Sequence, residues 1–131
     1  MRYMFLIYSR EAAAATPEEL QAVAELATQT AQAHAIVMNE AFKKGIFRGA
    51  EPLKPTITAT TVRTHNGKVT TLDGPFAETK EQLAGYYILE CEDLDEAIEW
   101  ARKIPTTCKG GEGAIEIRPL IEIPQPPFDT E

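Results

Sequence analysis

Residues 72–87 read LDGPFAETKEQLAGYY and hold the most specific local chemistry in the chain. Gly74 tolerates a positive φ, while Pro75 fixes its own φ and disfavours the helical region for the glycine before it. The stretch therefore predicts that a strand ends just before Asp73, that a loop follows, and that another strand begins near Gly85. Asp73 stands where strand gives way to loop, a position at which binding groups are commonly displayed.

Composition limits the classes of function. The chain has 131 residues, a net charge of -7, 44% hydrophobic residues and 25% charged residues, which suits one globular domain with its own core. An acidic surface without a basic run disfavours nucleic-acid binding. The apolar start at residues 1–8 is too short for a membrane span and lacks a signal-peptide cleavage region. Cys91 and Cys108 do not form a disulfide framework, so we expect a cytoplasmic protein. Because no apolar segment is long enough to span a membrane, we expect no membrane partner.

Upstream of residue 72, a buried strand and a long helix are expected. Residues 3–8 are continuously apolar, as in a strand buried on both faces. Thr16 can cap the start of a helix, and Glu19, three residues later, completes a capping box. Lys44 followed by Gly45 marks the end of this helix. One apolar stripe of this helix contains Leu20, Val23, Ala24, Ala27, Ala31, His34, Met38, Ala41 and Phe42. The alanines of the stripe predict close packing of the helix on whatever it covers.

The rest of the chain predicts a hairpin, two further strands and a second helix. The expected elements are strands at 46–49, 56–63 and 68–72, a short helical turn at 78–83, a strand at 85–91, a helix from Asp93 to just before Pro105, and a strand at 114–123. Asn66-Gly67 is the favoured pair of a type I′ turn. Trp100 is expected at the edge of the second helix's apolar stripe. Pro119 indicates that the last strand is an edge strand or carries a bulge.

Without the hairpin, this order is βαββαβ, so we expect an α+β, ferredoxin-like fold with an inserted β-hairpin. Both helices would cover one face of the sheet. The other face would be apolar and bare, and a homodimer that packs sheet against sheet is the simplest way to cover it. We expect a single domain over residues 1–123 and a proline-rich tail at 124–131.

Several segments together resemble the DGPF group of YCII-related proteins. They are DGPFAETKEQL at 73–83 with the GYY that begins at Gly85, RYMFLIY at 2–8, TATTVR at 58–63, DLDEA at 93–97 and EIRP at 116–119. Residues 106–113 match nothing typical of the group. The resemblance implies a bacterial, cytoplasmic dimeric α/β-barrel, built from two ferredoxin-like protomers. The group's activity is largely unassigned, and some relatives occur with, or fused to, extracytoplasmic-function sigma factors.

The resemblance also singles out two residues. In YCII proteins a histidine of the first helix and an aspartate are proposed as an active-site pair, and His34 and Asp73 correspond to them. An imidazole suits proton transfer near neutral pH, and a carboxylate beside it would orient it. The alternative for His34 is a core histidine satisfied by a backbone carbonyl or a neighbouring side chain. The alternative for Asp73 is an Asx-turn with its own loop.

Other candidates carry weaker signals. Phe76, Tyr86 and Tyr87 could wall a small-molecule pocket, although a place in the core or at the dimer interface is the favoured interpretation for each. Arg118 could bind a substrate carboxylate, although a cross-strand pair with a glutamate on a solvated edge is the favoured interpretation. No metal site is expected, because His34 and His65 are far apart and no ligand spacing is present.

No cofactor motif is present either, since the order of residues in Lys109-Gly110-Gly111 is wrong for a phosphate loop. We therefore expect a cofactor-free enzyme. Its cleft would bind an unknown small, mostly apolar or aromatic molecule, with His34 as acid or base and Asp73 orienting it. The alternative is a non-catalytic ligand-binding or regulatory dimer, possible in a group linked to sigma factors. A third possibility is a pocket filled by side chains.

Overall fold

A computed structural model describes residues 1–11, 16–106 and 112–124. Its elements are β1 (Arg2–Ser9), α1 (Pro17–Lys43), β2 (Phe47–Pro52), a 3-10 turn (Thr56–Thr58), β3 (Thr60–His65), β4 (Lys68–Asp73), β5 (Gln82–Glu90), α2 (Leu94–Lys103) and β6 (Gly113–Pro119). The predicted α+β class is confirmed, and the two helices with antiparallel sheets are consistent with a ferredoxin-like fold.

The main sheet has the order β2-β5-β1-β6, and every neighbouring pair is antiparallel. On one face, Phe5 lies opposite both Tyr87 and Ile117. This face is buried, because side chains alternate along a strand and the inward residues of β1 and β5 are the least exposed. Among the residues that the structure describes, β3 and β4 pair only with each other and form a separate two-stranded sheet.

Local sequence signals set the helix ends as predicted. The Thr16 hydroxyl accepts a hydrogen bond from the backbone N–H of Glu19 at 3.1 Å, and Asp93 accepts one from that of Glu96 at 2.9 Å. Gly45 follows α1 with a φ of 74°. Asn66 and Gly67 have φ values of 51° and 77°, as a type I′ turn requires.

The core lies between the inner sheet face and the helices. It contains Tyr3, Phe5, Ile7, Val37, Ala41, Tyr87, Leu89, Cys91, Ala97, Trp100 and Ile104. Trp100 is only 5% exposed, so its predicted place at the edge of the stripe is wrong. The ammonium groups of Lys103 and Lys44 lie 4.6 Å and 5.4 Å from the centre of its ring and cover it at the surface.

The predicted apolar stripe of α1 needs correction. Its buried residues are Val37, which the prediction left out, and Ala41. Phe42 is 71% exposed and Leu20 is 58% exposed. Only the last third of the helix is therefore packed into the core, while the first half stands away from it.

Three element boundaries also differ from the predictions. The helical turn expected at 78–83 is absent, because β5 already begins at Gln82, where it pairs with Ser9 of β1. A 3-10 turn occupies the start of the Thr-rich segment, so β3 begins at Thr60. β6 ends at Pro119 and is an edge strand, as the proline predicted.

Some predictions fall outside the described residues. These are Cys108, the Lys109-Gly110-Gly111 loop and the tail beyond Pro124. In the segments that the structure does describe, no helix combines the length and apolarity that a membrane crossing would need.

Candidate functional site

The candidate site lies beneath the middle of α1, from Val23 to Met38. This helix has 27 residues and is about 40 Å long, whereas the eight-residue strand β1 is about 27 Å long. α2 has only ten residues and is too short to match it. α1 is therefore longer than both the strands and the second helix, and a cavity of about 540 Å³ lies between its inner side and strands β1, β2 and β5.

Small side chains keep this space open. Ala27 and Ala31 of α1 line it from the helix, and Ala50, Ala84 and Gly85 line it from the sheet. The alanine-rich stripe was predicted to let the helix pack closely, and for the part of the helix above the cavity that prediction is wrong. Instead, the missing side-chain volume leaves an apolar hollow. The size is within the range of small-molecule sites, which span about 300–1,000 Å³.

His34 and Tyr87 bring polar chemistry into this apolar hollow. The Nδ1 atom of His34 lies 2.7 Å from the hydroxyl oxygen of Tyr87. The same hydroxyl lies 3.4 Å from the backbone carbonyl oxygen of His34 and can donate to it. His34 comes from α1 and Tyr87 from the central strand β5, so the contact links α1 to the sheet.

This arrangement leaves Nε2 as the ring nitrogen of His34 that is available to a ligand. When the Tyr87 hydroxyl donates to Nδ1, Nε2 carries the proton and can donate it. When that hydroxyl donates to the His34 carbonyl, Nδ1–H donates to the tyrosine oxygen and Nε2 becomes an acceptor. The neutral tyrosine therefore supports both tautomers of the imidazole.

Burial sets the charge state of both groups. It lowers the pKa of His34 below its ordinary value of 6.5, so the ring is neutral at pH 7. Burial also raises the pKa of Tyr87 to about 12, so its hydroxyl keeps its proton. A neutral imidazole has a free lone pair on one ring nitrogen and can accept a proton there, as a general base does.

Asp73 lies in a second cavity. This cavity, of about 460 Å³, is lined by Thr56, Ile57, Asp73, Gly74, Pro75, Ala77, Glu78, Thr79 and Gln82. Gly74 has a φ of 99°, as the Asp-Gly-Pro sequence predicted. Its N–H donates to the Ala59 carbonyl at 2.7 Å, and its carbonyl accepts from the Thr61 hydroxyl at 2.8 Å. The loop is thereby fastened to the base of β3.

The two predicted partners are therefore not brought together within the protomer. In the described part of the chain, no hydrogen bond or ion pair joins Asp73 to His34, and Asp73 does not line the His34 cavity. Tyr87 holds the ring nitrogen that a carboxylate would have oriented. The pairing of His34 with Asp73 stays a prediction, without support from a contact in the protomer.

Of the remaining predicted site residues, two line the His34 cavity and two lie away from it. Tyr86 and Tyr87 are both among the residues that line the His34 cavity, although their side chains point to opposite faces of β5, and their role as walls of a substrate pocket stays a prediction. Phe76 lines neither cavity and is 75% exposed, because the loop after Pro75 turns its ring to the outside. Arg118 pairs with Glu116 at 3.7 Å on the solvated edge strand, within β6 rather than across strands.

Sequence reasoning missed other residues of the cavity. Arg10 and Ser9 line it from the end of β1, and Thr30 and Leu26 line it from α1. Leu26 and Thr30 had a usable signal, because they fall one turn apart on the side of α1 that carries His34. Arg10 had none, since its position depends on how the chain leaves β1. Over residues 1–11, 16–106 and 112–124, no group of three or more possible ligands could hold a metal ion.

The family of the chain follows from its similarity to known sequences. The family model of the YCII-related domain matches residues 1–124. The chain belongs to the YCII-related family. This YCII-related chain is also 47% identical over 68 residues to an uncharacterized protein of Rhizobium meliloti (strain 1021). That match covers 52% of the chain and 54% of the relative, so it spans about half the length of each.

Proposed function

We propose that this YCII-related protein binds a small, largely apolar molecule in the His34 cavity and that His34 transfers a proton to or from it. The observation that carries the proposal is the 2.7 Å contact between His34 Nδ1 and the Tyr87 hydroxyl inside an apolar hollow. The contact fixes the ring and leaves Nε2 as the reacting nitrogen. Proton abstraction with return of the proton elsewhere on the ligand, an isomerisation, makes the least demand on such a site, and hydrolysis by an activated water is the second option.

The mechanism needs no ionised tyrosine. Nε2 accepts a proton from the ligand while Nδ1–H donates to the neutral Tyr87 oxygen, whose own proton points to the His34 carbonyl. The resulting imidazolium is held only by neutral groups. It therefore gives the proton back quickly, which favours a complete cycle over a stable charged intermediate.

Hydrogen exchange into small ligands tests this proposal. Ketones and lactones with acidic C–H bonds are incubated with the protein in D2O, and deuterium uptake is followed by mass spectrometry. Wild type is expected to accelerate exchange for ligands that also shift the His34 ring signals in NMR spectra. His34→Gln is expected to lose about 10²-fold or more of that acceleration, as general-base removal does, and His65→Gln is the matched control.

Two outcomes would count against catalysis. If ligands shift the His34 signals but no exchange occurs, the alternative of a non-catalytic binding module is favoured. If exchange is the same in wild type and His34→Gln, His34 is a structural residue. The same spectra, recorded in Asp73→Asn, test the predicted pairing of Asp73 with His34, since a coupled pair would change the pH titration of the ring.

We also propose that the protein is a homodimer through the helix-free face of its main sheet, as a dimeric α/β-barrel requires. Met4, Leu6, Tyr86 and Ile88 meet across β1 and β5 on this face and are each partly exposed. An apolar strip of this kind favours burial by a partner. Leu6→Glu places a charge at its centre and is expected to give monomers in sedimentation experiments, whereas wild type sediments as a dimer.

A further inference from the structure

The hairpin β3–β4 projects from the domain with both of its faces in solvent. All twelve residues of the two strands are exposed or, in the case of Thr61, partly exposed. β4 has six residues, so the hairpin reaches about 20 Å from the Asp73 loop. An isolated two-stranded sheet is at best marginally stable in water. We define residues 53–72 as the arm; they contain the turn before the hairpin and all of the hairpin except Asp73, the last residue of β4.

The arm has a charge opposite to that of the rest of the chain. It contains Lys54, Arg63 and Lys68 and no aspartate or glutamate. This leaves ten basic and all 20 acidic residues for the rest of the chain, a net charge of -10. In the described part of the structure, none of the arm's three cations forms an ion pair. They are therefore available to a carboxylate-bearing surface.

The two faces of the hairpin also differ. The cross-strand register places Arg63, His65 and Lys68 on one face. The other face carries Val62 and Val69 among threonines, and these two valines are 63% and 61% exposed. At the root of the arm, Ile57 is 87% exposed. Apolar groups beside a basic face indicate a surface that contacts another protein, with charge to orient it.

The root of the arm is fixed rather than loose. The Glu11 carboxylate accepts hydrogen bonds from the Thr56 N–H at 2.6 Å and from its hydroxyl at 2.9 Å. The Glu11 N–H in turn donates to the Gln82 side-chain oxygen at 3.0 Å, at the start of β5. These hydrogen bonds connect the start of the arm through Glu11 to the start of β5. An arm held in this way projects in a defined direction, so docking it costs less conformational entropy than docking a flexible loop.

We propose that the arm docks on the acidic body of a second copy of this chain. The second copy supplies the net charge of -10 that complements the arm, and in a two-fold pair each protomer would offer one arm and receive one. In each protomer, docking of the arm would bury Val62 and Val69 and pair the arm's cations with carboxylates of the other copy. This interface goes beyond the ligand cavity and is additional to the sheet-to-sheet contact of the proposed dimer.

Crosslinking of the wild-type protein is the first test. Equal amounts of ¹⁴N- and ¹⁵N-labelled protein are mixed and treated with a zero-length carbodiimide, which joins lysines to carboxylates in contact. The expected result is a peptide pair of mixed isotopic label that joins Lys68 or Lys54 to an acidic residue outside the arm. Crosslinks of the arm lysines only within one copy, or none at all, would overturn the proposal.

Charge reversal is the second test. The double variant Arg63→Glu/Lys68→Glu is compared with Lys43→Glu/Lys80→Glu, which makes the same change of net charge on exposed positions outside the arm. In sedimentation at low salt, the arm variant is expected to weaken dimerisation about tenfold or more, and the difference should shrink at high salt. Melting curves by circular dichroism check that each variant is folded.

The two variants also separate this proposal from the sheet-face dimer. If both variants dimerise equally well and Leu6→Glu does not, the sheet face alone holds the dimer and the arm proposal fails. If the arm variant alone is weakened, the arm proposal stands whatever the sheet face contributes. A wild-type chain that remains monomeric at all concentrations would overturn both proposals, and binding of the arm to another acidic protein would then be the remaining use of its charge.

Discussion

Replacing Tyr87 with phenylalanine removes one oxygen atom from the His34 cavity and nothing else. Tyr87 is 3% exposed, and the phenylalanine ring would occupy the same place in the core as the tyrosine ring, so no apolar contact is lost. What disappears is the 2.7 Å contact with His34 Nδ1 and the 3.4 Å contact with the His34 carbonyl. Tyr86→Phe is the matched control, because Tyr86 is the adjacent residue on the opposite face of β5 and no hydrogen bond of its hydroxyl is seen in the described part of the chain.

The magnitude follows from the hydrogen bond and from the group left behind. A neutral hydrogen bond contributes about 0.5–1.5 kcal/mol, and a buried partner left unsatisfied costs about 1–3 kcal/mol. His34 is only partly buried, so water relieves some of that penalty. We therefore expect Tyr87→Phe to lower the free energy of unfolding by about 1–2 kcal/mol. Tyr86→Phe should stay within about 0.5 kcal/mol of wild type.

Urea unfolding at one fixed protein concentration measures the difference, because oligomerisation would otherwise shift the apparent stability. For a domain of this size, the expected loss corresponds to a fall in melting temperature of about 4–8 °C. Long-range ¹H–¹⁵N spectra of the imidazole report the second consequence, a change in the tautomer population of His34. The reasoning is refuted if the two phenylalanine variants are equally stable and the ring nitrogens of His34 keep their wild-type shifts.

Three further predictions rest on burial and close contacts. Because burial lowers the pKa of His34 in the folded state, the unfolded chain binds more protons between that pKa and 6.5; the free energy of unfolding should therefore rise with pH across this window, and His34→Gln should remove this part of the slope in urea titrations at several pH values. Gly85→Ala places a Cβ atom 2.8 Å from the backbone carbonyl oxygen of Glu51 in β2 and should lower the free energy of unfolding by about 1–3 kcal/mol. Gly49→Ala meets no atom of the described residues within 4 Å and should be nearly neutral, so equal unfolding midpoints of the two variants would contradict the close approach at Gly85. Leu89→Ala removes a fully buried side chain and should cost about 3–5 kcal/mol, while Ile36→Ala, at a position that is 70% exposed, should change stability by less than about 0.5 kcal/mol in the same unfolding assay.

Local chemistry made the elements predictable. The caps at Thr16 and Asp93, the glycine after Lys44 and the Asn66-Gly67 turn each satisfy their backbone requirements with neighbours in sequence, and all were observed as expected. Boundaries were less predictable where a pairing with a distant strand decided them. β5 begins at Gln82 because Ser9 pairs with it, a contact that no local pattern at residues 78–83 reveals.

Exposure within an element was also decided by distant parts of the chain. The apolar periodicity of α1 is nearly uniform along its length, but only the part near Val37 and Ala41 has a full core beneath it. Trp100 is buried beneath Lys103 of α2 and Lys44, the residue after α1, whereas Phe42, one residue from a buried alanine, faces solvent. A periodic pattern indicates which face can be buried, and the lengths of the neighbouring elements decide how much of that face is.

The sequence alone therefore determined the α+β class, the order of elements, the helix caps and the turn types, because these depend on interactions over a few residues. It also pointed to His34 on the inner side of α1 and to a glycine of positive φ after Asp73. Only the tertiary structure decided that His34 meets Tyr87, which lies 53 residues away in sequence, and that Asp73 lines a different cavity. The physical reason is that a side-chain contact depends on strand register and on the unequal lengths of α1 and the sheet, and neither is encoded in a local run of residues.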